Sequence, residues 1–241
     1  MSEDKTEVRT LALALLASLL LWNLPFGGVL LYPFKLLATW AHEMSHGLAM
    51  LVTNTGFDHV MLYRDTSGIA HGNAAAGPVA SALIAAAGYM GTPVWGALLL
   101  VATPTAEAAR RALAIVAGLL AISALFAIGN GFGQWAIGAI AAAFAAAAIA
   151  VPARARILVA HFVAAQACVD AVLDVRVLLR PIQVVDGITV GASDATNMAG
   201  ATFGTTDSWA VWFWALAWLA WSLAVLFVAL RVTARRQLRG Q

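Results

Sequence analysis

Four stretches of this chain carry no charged side chain. They run from Arg9 to Lys35 exclusive, from Thr66 to Thr105 with a neutral His71, from Ala112 to Ala153, and from Ser208 to Leu230. Each is long enough to cross a bilayer, which takes roughly 20 predominantly apolar residues. A backbone in lipid must satisfy its own polar groups, so such runs form helices. The alternation of a lipid-facing barrel strand is missing. The composition agrees: 62% of residues are hydrophobic, 11% are charged, and mean hydropathy is +0.84. Soluble domains hold about 45–50% apolar and about 25% charged residues. The chain therefore lacks the charge to cover a soluble surface, which excludes an ordinary cytosolic enzyme and a disordered chain. A net charge of +2 is too small for tracking phosphates, so no nucleic-acid partner is expected. The single Cys168 excludes a disulfide framework and a cysteine-based zinc cluster.

The expected fold is an all-α polytopic membrane bundle of about six or seven transmembrane helices. It forms one domain over residues 1–241, with no soluble domain. Seven segments are expected to be helical, near 10–31, 34–53, 77–102, 110–128, 133–151, 156–179 and 208–231. Gly129, Asn130, Gly131 and Gly133 mark a turn that divides one long uncharged run. Pro33 is expected to break the first helix from the second. Gly88, Tyr89, Gly91 and Pro93 fit either a kink in one helix or a break between two. Glu3, Asp4 and Glu7 offset Lys5 and Arg9, so the N-terminus lacks the basic start of a signal peptide and reads as a retained helix.

Seven spans put Lys35, Arg110, Arg111, Arg154, Arg156, Arg231, Arg235, Arg236 and Arg239 on one side. Lys5, Arg9, Arg64 and Arg180 fall on the other, with Arg176 near them. The richer side is expected to be cytoplasmic, in a plasma or inner membrane, with the C-terminus inside. The alanine-rich stretch Ile140–Val151 reads as structural, because small residues let helices approach closely in lipid. Trp209, Trp212 and Trp214 fit an interfacial belt, whereas Trp218 and Trp221 read as deeper packing.

His42-Glu43-Met44-Ser45-His46 has the form H-E-x-x-H. Residues four apart share a helix face, so both imidazoles can meet one cation, with Glu43 beside them. In a zinc hydrolase with this spacing the histidines are ligands and the glutamate is the general base. The motif interrupts a run, Leu37–Val52, that is otherwise uncharged. A carboxylate in a membrane helix costs about 2.5–3.5 kcal/mol on insertion scales, so Glu43 is a functional candidate by default.

A catalytic zinc takes three protein ligands and keeps one position open. Besides Glu43, Asp170 and Asp174 are the acids inside an expected helix, four apart on one face. Depth along the helix at about 1.5 Å per residue slightly favours Asp170. Each also fits a cap or an ion pair with Arg176 or Arg180. His161 lies half a turn away from Asp170 and reads as structural. His59 and His71 read as loop histidines between the second and third helices.

His-Glu-Met-Ser-His in an early membrane helix resembles the site-2 proteases, a family of intramembrane zinc metalloproteases. Ala76-Gly77-Pro78-Val79-Ala80-Ser81 resembles the A-G-P-x-x-N element of that family, with Ser81 at the asparagine position. The compact B-like branch is the nearer resemblance, through Ala41–Leu51, Gly88-Tyr89-Met90-Gly91, Leu173-Asp174-Val175-Arg176 and Ser193-Asp194-Ala195. The resemblance implies a membrane-embedded Zn2+ site with His42 and His46 as ligands and Glu43 as base. It favours Asp174 as third ligand, with Asp170 and then Asp194 as alternatives. It implies that Gly77, Pro78 and Ser81 bind substrate. The family's Asn-Pro…Leu-Asp-Gly element is absent around Asp174. Asp194 fits a helix N-cap equally well.

The expected activity is hydrolysis of peptide bonds in a membrane-protein or peptide substrate with a transmembrane helix, in the lipid bilayer. The alternatives are an inactive membrane scaffold of the same fold and a metal-ion transporter with a His/Asp transit site.

Overall fold

The computed structural model describes residues 16, 20, 21, 23–173 and 182–239. Among them are seven helices and two short hairpins. In chain order these are α1 (Gly27–Val52), β1 (Phe57–Leu62), β2 (Gly68–Gly72), α2 (Pro78–Ala102), α3 (Ala106–Phe126), α4 (Gly131–Ala150) and α5 (Ala153–Leu173). Then follow β3 (Ile182–Val185), β4 (Ile188–Ala192), α6 (Asp194–Phe203) and α7 (Ser208–Arg239). Five of the helices, α2, α3, α4, α5 and α7, are long and apolar enough to cross a membrane. The protein is an integral-membrane helix bundle, and the described residues include no soluble domain.

Pro33 does not separate two helices as expected; it sits inside α1. Its missing N–H forfeits one bond near the helix start, and the surrounding turns keep theirs. The break falls instead in the turn around Pro25, where the Gly27 amide donates to the Leu24 carbonyl at 3.0 Å. Ten of the 22 residues of the expected helix at 10–31 lie outside the described residues. The alternatives at Gly88–Pro93 resolve to one continuous helix, α2, with Pro93 inside it. The turn at Gly129–Gly131 stands between α3 and α4, and α7 extends past the expected residue 231 to Arg239.

The two antiparallel hairpins, β1–β2 and β3–β4, were not expected. In β3–β4 the turn residues Asp186 and Gly187 both have positive φ, 49° and 75°. This suits the two-residue turn that matches strand twist. In β1–β2, Asp65 accepts from the Ser67 amide and hydroxyl and holds the turn. The outer edge of β1 is covered: Val60 exchanges backbone bonds with Ala127 and Gly129 at 2.8 and 2.9 Å. The Asn130 side chain adds two bonds to the Leu62 backbone.

α2 packs against α1, α5, α6 and α7. One buried core joins α1, β1, α3, α4 and α5 around Leu36, Val60, Leu113, Leu120 and Ile137. A second joins α2, α6 and α7 around Tyr89, Met198, Val211 and Trp218. Trp218 is buried, whereas Trp209 and Trp212 are more than half exposed. Trp221 stands at the surface and donates to the Met90 carbonyl.

Candidate metal centre

α1 carries His42, Glu43 and His46 into the seam between the two cores. Four-residue spacing stacks the two imidazoles on one face, with Nε2 atoms 3.0 Å apart. The His46 Nδ1 donates to the Ile84 carbonyl of α2 at 2.6 Å, so its Nε2 presents a lone pair. The His42 ring meets the edge of Tyr89 at 4.7 Å, and Tyr89 stacks flat on Trp218 at 5.2 Å. α7 thus sets the orientation of His42 through α2.

The third member comes from α6. Ser193 caps that helix, its hydroxyl accepting from the Thr196 amide. The N-cap role therefore belongs to Ser193, and Asp194 is the first helical residue. There the helix dipole favours a carboxylate. The Asp194 Oδ2 lies 3.1 Å from His42 Nε2 and 3.3 Å from His46 Nε2.

Among the described residues, His42, His46 and Asp194 form the group that could hold a metal ion. The donor set fits zinc. Two imidazole nitrogens and one carboxylate oxygen converge, and each needs a positive partner. Around a tetrahedral zinc with donors at about 2.0–2.1 Å, neighbouring donor atoms stand about 3.3 Å apart, close to the observed separations.

Glu43 is buried at 5% exposure and sits among these three groups. The Ala70 amide of β2 bonds its carboxylate. Gly68, two residues before it on that strand, leaves room for it: a Cβ there would come within 2.8 Å of the Glu43 side chain. The hairpin is therefore part of the site. Gly88 of α2 is another part that sequence reasoning did not single out. A Cβ on Gly88 would fall on the Nε2 atoms of both histidines, so only glycine permits α2 to pass here. The Gly88-Tyr89 pair stood within the quoted motif, but its role depends on the helix pairing.

Of the other candidates, Asp174 lies outside the described residues. Asp170 is buried on α5 and is not part of the His42–His46–Asp194 group. His161 is also buried on α5. Pro78 and Ser81 line a cleft of about 620 Å³ that has Asp194 and Ile84 in its wall. Gly77 caps the start of α2, and its carbonyl accepts from the Ser81 amide. His59 and His71 are not in a loop: they pair across β1–β2, with rings stacked at 4.6 Å.

No curated protein and no solved structure matches the chain. The family described as Peptidase M50B-like matches residues 11–229. With that match spanning nearly the whole chain and the H-E-x-x-H face inside it, the protein belongs to the Peptidase M50B-like family of site-2 proteases.

Proposed function

We propose that this protein is a zinc-dependent intramembrane endopeptidase that hydrolyses peptide bonds of substrates carrying a transmembrane helix. One observation carries the reading: the convergence of His42 Nε2, His46 Nε2 and Asp194 Oδ2 within 3.0–3.3 Å beside buried Glu43. His42, His46 and Asp194 would hold the metal. Zinc bound there would supply a Lewis acid that polarises a carbonyl and lowers the pKa of water.

The remaining roles belong to the chain. Glu43 takes the proton from the attacking water and delivers it to the leaving amine. The Ala70 amide fixes the carboxylate for that transfer. The Ile84 carbonyl holds the His46 ring, and Tyr89 braces His42. Substrate enters the cleft lined by Pro78 and Ser81, with Gly77 at the start of the same helix. The arginines of α7, Arg231, Arg235, Arg236 and Arg239, support the reading that the C-terminus is cytoplasmic.

The test uses the full chain in detergent, with zinc quantified and cleavage of a membrane-helix substrate followed. Glu43→Gln is expected to lower kcat by about 10³-fold while zinc stays bound. His42→Ala is expected to lose zinc and activity together. Full activity in Glu43→Gln would sink the mechanism.

A further inference from the structure

We propose that the cleft holds a side-chain subsite, centred on Gly200 of α6, that selects a bulky uncharged residue two to three positions from the cut bond. The inference rests on the peptidase reading and adds its substrate preference.

The cleft, of about 620 Å³, opens on the metal cluster at Asp194. From there its wall follows one face of α6 through Asn197, Gly200 and Ala201. Gly200 is six residues beyond Asp194, about 9 Å along the axis at helical rise. An extended peptide advances about 3.3 Å per residue, so that distance spans two to three substrate residues. Ile84 and Ala85 of α2 also line the cleft, and the Ile84 carbonyl, bonded to His46, lies at its metal end.

Gly200 has no reason in the fold to be glycine. Its neighbour Gly204 does, with φ at +67° as the left-handed cap of α6. Gly200 sits within the helix, and a Cβ there would meet nothing nearer than Thr206 Cγ2 at 3.7 Å. Glycine in a helix interior is less stable than alanine. What its missing side chain provides is open volume in the cleft, continued by Ala201 and Ala85. The acidic or basic side chain lining this cleft is Asp194, which belongs to the metal cluster. A charged substrate residue at Gly200 would find no counter-ion in that lining, so the subsite takes an uncharged one.

The experiment measures kcat/KM for substrates differing only by Ala, Leu, Phe or Lys at each of four positions on either side of the cut. At one position two or three residues away, wild type is expected to prefer Phe or Leu over Ala by about tenfold, and to reject Lys. Gly200→Leu is expected to lower the Phe-to-Ala ratio at that position by at least about tenfold. Gly200→Ala, whose Cβ makes only ordinary contact, is expected to give a smaller shift in the same direction. Bound zinc and the thermal midpoint report whether each variant folds. An unchanged ratio in Gly200→Ala and Gly200→Leu with zinc bound overturns the subsite, as does a wild type without preference. If no cleavage depends on Glu43, the peptidase reading itself fails and the subsite falls with it.

Discussion

Between α3 and α4 small apolar residues, including Ala117, Gly118, Ala121, Gly138, Ala141 and Ala145, line an open groove. Ser123 is the buried polar side chain of that pair among the described residues. Around α1, α2 and α6 small residues also line the contacts, but there they make room for polar groups. Gly88 clears the two imidazoles, Gly68 clears Glu43, and Gly91 clears the Ser45 hydroxyl. The same residue type therefore does two jobs. In the α3–α4 pair Gly118 and Gly138 face open space, where an added methyl would meet nothing within 4 Å. At the site it admits specific atoms, and one methyl group displaces them.

Paired glycine substitutions break this comparison most directly. Gly88→Ala places its methyl on the histidine nitrogens. Zinc affinity is expected to fall by at least about 100-fold, with activity following, since displaced neighbours of a ligand shell already cost about 10–100-fold. Gly138→Ala meets nothing within 4 Å. It is expected to leave zinc and activity in place and to raise stability by up to about 1 kcal/mol, through helix propensity. Zinc titration and thermal unfolding of both variants decide the point. Equal effects would mean that the two regions use glycine alike.

The same contrast explains what was legible beforehand. Charge-free runs announced the spanning helices, since a bilayer leaves a chain few other choices. His42, Glu43 and His46 share one helix, so their spacing alone put them on one face. Asp194 reaches them from 152 residues away. No local period carries that, and the depth argument could only rank acids already assigned to helices. The hairpins left weaker marks. Asp186-Gly187 between apolar residues is a strong hairpin signal, but the flanking strands are only four and five residues long. Pro33 misled because a proline near a helix start removes just one bond.

The two regions meet at Asn130, in the turn between α3 and α4. Its side-chain amide donates to the Leu62 carbonyl at 2.6 Å and its oxygen accepts from the Leu62 amide at 3.1 Å. It thereby holds β1, whose partner β2 holds Glu43. Asn130→Ala is expected to lower kcat by about tenfold, because misplacing a reacting group by a fraction of its reach is expensive in rate. Zinc should stay bound, since the direct contacts of His42 and His46 run to α2 and α6 rather than to Asn130 or Leu62. Stability should drop by about 1–3 kcal/mol for the unpaired Leu62 groups. Zinc content measured beside kcat separates this variant from Gly88→Ala. Loss of zinc would show that the hairpin supports the ligands as well as the base.

The smallest expected effect is a pH dependence confined to the hairpin. His71 faces His59 across the strands, and His59 Nδ1 is 3.0 Å from the Asp58 carboxylate. Burial pushes the His71 pKa below its usual 6.5, the neighbouring His59 pushes it the same way, and Asp58 opposes them. A histidine with a lowered folded-state pKa binds fewer protons folded than unfolded just below 6.5. Stability therefore rises with pH through that window and falls as the solution is acidified. His71→Gln removes this contribution, so the gap in thermal midpoint between pH 7.5 and pH 5.5 should be narrower in the variant than in wild type. Groups other than His71 are common to both proteins, so their contribution cancels in the difference. Identical gaps would mean that the stacked pair leaves the hairpin indifferent to its charge.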